Sequence, residues 1–411
     1  MRRSSRPVVL GLAAALAAIF SVAAAQQDAP APGISVTPAG GDLIALLADA
    51  RALAPAGPGI AIHARAIQIG HLEISLEEGL LAPLRTPKGL TLGFFFEGAG
   101  RYRYTSGDPG DRLVLAQNVA HEGRKELFHE DALQDTFKRL VVYFAAPEFD
   151  DLWGGSPPGS APAADGVVVP LDSGRRSDFE RIWKRIQESY LPFDHHAAIA
   201  LLNGPPRQYL YAEFEGGAET AGFSYDRISQ FEERLFLFRK VQGYDYRWQR
   251  PLSHQPIEGG RSKHPGDLTL RDIHVEVATE DNRSVTINSE LTMAAGADRV
   301  RAARLDLVNN RDPNHVNWAS SKNPLRIVRV TDDSGQALPF SHRYYEVIVE
   351  LPHPLARGQA LRLRFETQGE ILTDAHGRRD DNFFELTSDA WYPRPSSWSL
   401  AGFSARLKVR V

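Results

Sequence analysis

Apolar residues recur at a spacing of two along much of this chain. In the last stretch Phe403, Ala405, Leu407, Val409 and Val411 alternate with Ser404, Arg406, Lys408 and Arg410. Successive side chains of a strand point to opposite faces, so this pattern predicts a strand with one buried and one wet face. Val285, Ile287, Ser289, Leu291 and Met293 alternate in the same way with Ser284, Thr286, Asn288, Glu290 and Thr292. Leu305 and Leu307, then Val347, Val349 and Leu351, then Leu361, Leu363 and Phe365 repeat the period, with a turn at Asp332-Asp333-Ser334-Gly335. Strands at such spacing predict an antiparallel β-sandwich or saddle-shaped sheet over residues 267–411. The last strand ends on an apolar residue with no turn behind it, and is expected to be the edge of a larger protein.

Residues 39–246 mix two periods and predict an α+β unit dominated by a sheet. Gly41 to Leu53 carries Leu43, Ile44, Leu46 and Leu47, an amphipathic helix that Asp42 can cap. Short strands are predicted at Ile60–Ile62, Leu72–Leu76, Leu90–Phe96, Arg101–Tyr104 and Leu140–Phe144, with Gly93 to Gly100 read as a strand ending in a glycine turn. A helix from Ser177 to Tyr190 follows a Pro/Gly/Ala-rich loop, capped by Ser177 with Glu180 three residues on and a stripe of Phe179, Ile182, Trp183 and Ile186. Tyr209–Phe214 and Phe231–Val241 return to strand. Residues 247–266 are rich in Pro, Gly and charge and read as a linker. The fold class expected is mainly β: an α+β first unit, then an antiparallel β-sandwich.

The N-terminus changes the setting. Arg2, Arg3 and Arg6 precede an apolar Val8–Val22 and a small-residue Ala23-Ala24-Ala25 site, as in a secretory signal peptide over residues 1–25. Residues 26–38 read as a flexible leader. The mature protein is expected to be periplasmic or secreted, with no transmembrane segment once the signal is cleaved. The chain has no cysteine, which excludes thiol catalysis and Cys-ligated metal. Its net charge of −4 is spread along the sequence and gives no nucleic-acid footprint.

Candidate chemistry is sparse. Asp194-His195-His196 is the densest ligand-type cluster, but three or four convergent ligands make a metal site, and a polar helix end or loop is the plainer reading. His121-Glu122 and His129-Glu130 each lack the second His of H-E-x-x-H and read as solvated loop. Asp374, Asp380, Asp381, Asn382 and Glu385 enclose two arginines and read as a charged hairpin rather than a calcium loop. No G-x-S-x-G elbow occurs, and Gly98-Ala99-Gly100 lacks the rest of a dinucleotide fingerprint. Trp391, Tyr392, Pro393 and Trp398 remain, as a surface for a sugar ring or for another domain.

Residues 267–411 resemble the N-terminal β-domain of membrane alanyl aminopeptidase-like (gluzincin) zinc metallopeptidases. The resemblance rests on the strand Ile273-His274-Val275-Glu276-Val277 followed by Ser284–Met293. It also rests on Leu361-Arg362-Leu363-Arg364-Phe365-Glu366-Thr367-Gln368-Gly369, and on Trp391-Tyr392-Pro393 ahead of the final strand. It implies an all-β module that precedes a thermolysin-like catalytic domain, with zinc held in that domain. This chain has no H-E-x-x-H and no Gly-x-Met-Glu-Asn loop. No catalytic, cofactor or metal residue is therefore assigned within it. The expected role is an exported, non-catalytic brace partnered by a C-terminal catalytic domain. The other role considered is a stand-alone binding protein for a glycan, peptide or envelope partner.

Overall fold

The computed structural model describes residues 42–121, 123–145, 167–188, 193–204, 207–226, 233–241, 244–248, 253–254, 267–279, 284–307, 325–343, 346–370, 373–374, 384–385, 391–395 and 404–410. The architecture is mainly β, as the alternation predicts, in large antiparallel sheets with a few helices against them.

The first unit is a meander. Strands β1 (Gly59–Ile69), β2 (Leu72–Arg85), β3 (Thr91–Tyr104), β4 (Ala132–Ala145), β5 (Tyr209–Glu215), β6 (Thr220–Asp226), β7 (Glu233–Val241) and β8 (Tyr244–Trp248) lie side by side in chain order. Two-residue ladders extend it, among them Val168–Val169 at the β1 edge and Ser253–His254 on β7. Helices α1 (Asp42–Arg51), α2 (Pro109–His121), α3 (Ser173–Glu188) and α4 (Phe193–Asn203) pack on it.

These strands are far longer than the sequence pattern predicts. β3 runs on through Gly98 and Gly100 to Tyr104 instead of turning there. The glycines serve close backbone approach: a Cβ on Gly98 would sit 2.1 Å from the Glu78 carbonyl oxygen, and one on Gly79 would sit 2.4 Å from that of Glu97. The run Phe94-Phe95-Phe96 is apolar throughout because both faces of the sheet are covered. Phe94 and Phe96 face one core with Leu140, Val142 and Phe144, while Phe95 faces another with Val141 and Tyr143.

The sheet coils until the β1–β2 turn meets the start of β7. There the His71 amide donates to Glu233 Oε1 at 3.0 Å, and the His71 ring lies against both carboxylate oxygens. Its concave face closes over the first core, into which α2 inserts Leu115 and Val119. The sequence pattern gives no sign of α2, whose Leu113 and Val114 are exposed.

On the convex face α3 lays down Phe179, Ile182, Trp183 and Ile186, the stripe that its spacing predicts. Its start differs from expectation. The helix begins at Ser173, and Asp172 Oδ1 accepts from the Arg175 amide at 2.9 Å, so Asp172 is the cap rather than Ser177. A first turn of Ser, Gly and Arg carries no apolar residue, which hides it from a periodicity argument.

The second unit is a sandwich. One sheet holds β9 (Leu268–Thr279), β10 (Ser284–Ala295), β12 (Arg326–Thr331), β15 (Ala360–Glu370) and β16 (Ser404–Arg410), in the order β12-β15-β10-β9-β16. The other holds β11 (Val300–Asp306), β13 (Phe340–Arg343) and β14 (Glu346–Leu355), in the order β13-β14-β11, with Arg394–Pro395 on β11. Pairing is antiparallel except that β16 runs parallel to β9. The inward residues of both sheets, Ile287, Leu291, Met293, Leu305, Val347, Val349, Leu363 and Phe365 among them, form one core. The first two elements of the resemblance pair with each other, β9 with β10 from Leu268↔Ala295 to Thr279↔Val285.

Candidate functional site

The densest constellation of chemistry lies where the two units meet. Alternation on β14 turns Val347 and Val349 into the sandwich core and turns Glu346, Ile348 and Glu350 outward. Ser341 pairs with Ile348, and Arg343 with Glu346, so both join that outer face, as do Ala302 and Arg304 of β11. Such a face would ordinarily be wetted. Here α1 and α4 cover it. Leu43, Leu46 and Leu47 of α1 and Ala198, Ile199 and Leu202 of α4 pack on Ala302 and Ile348. On its other side α4 presses Phe193, Ala197 and Ala200 into the core of the first unit. A helix covered on both sides needs apolar residues almost all round, and Ala197 to Leu202 supplies them.

The charges on this face are met by charges from the first unit. Asp194 is fully buried between Arg51 Nε at 2.7 Å and Arg343 Nη1 at 2.6 Å. Burial pushes its carboxyl up, but Arg343, His195 and Arg51 together hold it below the usual range. Arg343 also donates to the Gln187 carbonyl and lies over the Phe193 ring at 5.4 Å. At the far end of α4, Asn203 reads the backbone of β11. Its Oδ1 accepts from the amides of Arg301 at 2.8 Å and Ala302 at 2.7 Å, and its Nδ2 donates to Asp267 Oδ2 at 2.7 Å. Arg207 Nη2 donates to Asp267 Oδ1 at 2.8 Å. Arg301 Nη2 meets Glu350 at 3.0 Å and Asp42 at 2.7 Å, and the Leu43 amide at the start of α1 donates to Glu350 Oε2 at 3.0 Å.

Between these ends sit the two histidines. They occupy the first turn of α4, yet they are not solvated: His195 is fully buried and His196 is 6% exposed. The cluster is the polar helix end that the sequence suggests, but a buried one, which the composition does not predict. His196 Nε2 lies 3.0 Å from Glu346 Oε2 and its Nδ1 2.9 Å from Asp226 Oδ2, the latter off-line, as an ion pair rather than an aligned hydrogen bond. Arg304 donates through Nε to Glu346 Oε2 at 2.6 Å, and its Nη1 lies 3.2 Å from Asp226 Oδ2. Burial raises the Glu346 carboxyl, but Arg304 and His196 outweigh it and hold Glu346 well below the usual range. Asp226 is likewise pushed up by burial and pulled down further by His196 and Arg304. Among the described residues no group of three or more His, Asp or Glu is placed to hold a metal ion. The arrangement is ion pairing across a buried seam.

The other sequence candidates lie apart. His121 ends α2 at the surface, and His129 is exposed with Nε2 2.6 Å from the Glu126 carbonyl. Glu122, residues 375–383 and Trp398 fall outside the described residues. Trp391 and Tyr392 are half-buried, edge-on to each other at 4.8 Å and 83°, and packed on the sandwich core. Pro393 is buried, and Arg394–Pro395 pairs with Leu305–Asp306. A shallow groove of about 310 Å³ crosses the outer face of the five-stranded sheet, between His274, Glu276, Glu290, Arg329 and Arg364. Its charges already pair with one another, Arg364 with Glu290 at 2.8 Å and Lys408 with Glu276 at 3.1 Å.

No family model matches this chain, and no curated protein does. Similar solved structures are M1 zinc metallopeptidases. One from Deinococcus radiodurans is 20% identical with a TM-score of 0.24, over 35% of this chain and 32% of that one. A mutant two-domain M1 zinc metallopeptidase bound to L-tryptophan is 18% identical with a TM-score of 0.25, over 36% and 34%. The chain spans no more than about a third of the length of these structures. The similarity is partial.

Proposed function

We propose that this chain is the exported, non-catalytic N-terminal portion of an aminopeptidase-like zinc metallopeptidase, bracing a catalytic domain that lies outside residues 1–411. The observation that carries the reading is the seam. Paired charges and apolar helices join the first unit to the sandwich as one body, which is what a brace requires. Support also comes from the order of elements in the sandwich, with Trp391-Tyr392-Pro393 on its rim ahead of the final strand. Zinc chemistry would belong to the H-E-x-x-H of the partner domain, since this sequence has none. The signal-like residues 1–25 support an exported protein, periplasmic or secreted. The test is the intact mass of the native protein, read together with the codons that follow Val411. A larger species bearing H-E-x-x-H is expected. A protein that stops at Val411 and binds no such partner refutes the reading.

One observation favours a second reading, a stand-alone binder of a glycan, peptide or envelope partner. Trp391 and Tyr392 are only half-buried and stand edge-on to one another, aromatic surface on which a ligand can stack. Loss of ligand binding in W391A, with unchanged thermal stability, would favour it over the brace.

A further inference from the structure

His195 and His196 are adjacent, yet their partners differ in kind. His195 faces Ser341 Oγ through Nε2 at 2.9 Å and Glu346 Oε1 through Nδ1 at 3.3 Å. A hydroxyl both donates and accepts, so Ser341 can meet that ring nitrogen with or without its proton. His196 has no such choice. Each of its ring nitrogens lies about one contact distance from a carboxylate oxygen, 2.9 Å to Asp226 and 3.0 Å to Glu346. A carboxylate only accepts, and a neutral imidazole carries one N–H. A neutral His196 would leave one of these buried carboxylates facing an uncharged ring nitrogen at contact distance, and the off-line contact with Asp226 is one that only charge holds.

The carboxylates cannot resolve this by taking up the proton. Both oxygens that face His196 also face the Arg304 guanidinium, at 2.6 and 3.2 Å, and its charge favours the ionised form of both carboxyls. The other groups around the ring are accounted for. Tyr209 of β5 stands edge-on at 5.0 Å, Arg234 of β7 adds attraction to Asp226, and His195 shares Glu346. From α4 and β13, Asp194 and Arg343 pair with each other at 2.6 Å.

We propose that His196 is an obligate imidazolium and that its proton clasps the first unit to the sandwich, holding the seam at neutral and mildly acidic pH and releasing it as the medium turns alkaline. The clasp joins Asp226 on the first unit to Glu346 on the second through one ring. It does not depend on the metallopeptidase reading, because it concerns two units of this chain only. Burial and Arg304 pull the His196 pKa down, but Glu346 and Asp226 overcome them and leave it raised. A group whose folded pKa is raised contributes fully below its unfolded value, about 6.5, and that contribution is lost as pH rises through the folded value. The depressed Asp226 and Glu346 keep the acceptors ionised well into acid.

The test is urea unfolding of the whole chain between pH 6 and pH 9, beside H196Q. Above the unfolded histidine value, the folded-to-unfolded ratio of the native protein is expected to fall by up to about tenfold per pH unit, one proton's worth. H196Q should be flatter than the native protein over that range. Equal slopes in the native protein and H196Q overturn the proposal. If H196Q does not fold, the native protein decides alone. Imidazole ¹⁵N shifts should show both His196 nitrogens protonated at pH 7.5, and one protonated nitrogen there overturns the proposal.

Discussion

Asn203 is the residue through which the first unit reads the sandwich backbone, and its removal should uncouple the two. Its side chain is fully buried and takes four hydrogen bonds: from the amides of Arg301 and Ala302, and to Asp267 and the Ala302 carbonyl at 3.2 Å. N203A leaves two backbone amides without their acceptor in a site that water does not reach. Each such orphaned group costs about 1–3 kcal/mol, and some relaxation is expected, so the loss should be about 3–5 kcal/mol. N203D separates the two halves of the interaction. It keeps the acceptor for both amides but sets an oxygen where Nδ2 now lies, 2.7 Å from Asp267 Oδ2. It should therefore be as damaging as N203A at neutral pH and recover in acid, when one of the two carboxyls takes a proton. The assay is equilibrium urea unfolding, following Trp183 of the first unit and Trp391 of the sandwich in single-tryptophan backgrounds. The native transitions should coincide, whereas in N203A the midpoint should fall and the two should separate. A loss under about 1 kcal/mol, or transitions that stay coincident, would refute the assignment of Asn203 as the coupling residue.

Three further outcomes are expected. G98A should lose about 1–3 kcal/mol by thermal or urea unfolding, because the new Cβ would meet the Gly79 Cα at 2.5 Å and neither backbone can yield. R185A should lose about 3–5 kcal/mol, since Glu213 is almost wholly buried against that guanidinium at 2.6 Å, whereas the paired R185M/E213L change should be close to neutral. Acid should weaken the seam in a defined direction. Asp194, Asp226 and Glu346 all have lowered pKa values, so their contribution is present above about 4 and is lost as pH falls through the folded values. E346Q should flatten the acid limb of a stability-against-pH curve.

Much of the sandwich can be read from the sequence, and the reason is physical. In its five-stranded sheet one face of each strand is buried and the other wet, so period two survives in Ser284–Met293 and Leu361–Phe365. The first unit is harder because both faces of its sheet are covered. Runs such as Phe94-Phe95-Phe96 lose their period, and glycines that allow close approach imitate turns. Helix α2 is missed because only Leu115 and Val119 anchor it. The seam is missed for a different reason. Glu346, Glu350 and Arg304 alternate with apolar residues as a solvent-facing set would, and Asp194-His195-His196 has the composition of a surface. A signal did exist. Ala197 to Leu202 is apolar on every side, and such a helix must be buried on every side, so the polar residues at its two ends are buried with it and need partners.

The geometry of that helix shows why the seam is polar at both ends and apolar between. His196 and Asn203 are seven residues apart, about 10.5 Å along α4 at 1.5 Å per residue. Their targets on the sandwich are the Glu346 end of the β11–β14 ladder, where Glu346 pairs with Asp306, and the Ala302 backbone. Four residues of strand separate those targets, about 13 Å at 3.3 Å per residue. The helix therefore runs antiparallel to β11 with one peg at each end. Apolar contacts from Ala198, Ile199 and Leu202 would tolerate a slide of one turn, because small and branched aliphatic side chains repack readily. The pegs would not: a slide moves Asn203 off its two amides and sets His196 against uncharged backbone. Adhesion thus comes from the apolar cluster, while register comes from Asn203 and His196. Register is the better-attested use of buried polar groups, since replacing them with apolar residues often leaves stability unchanged.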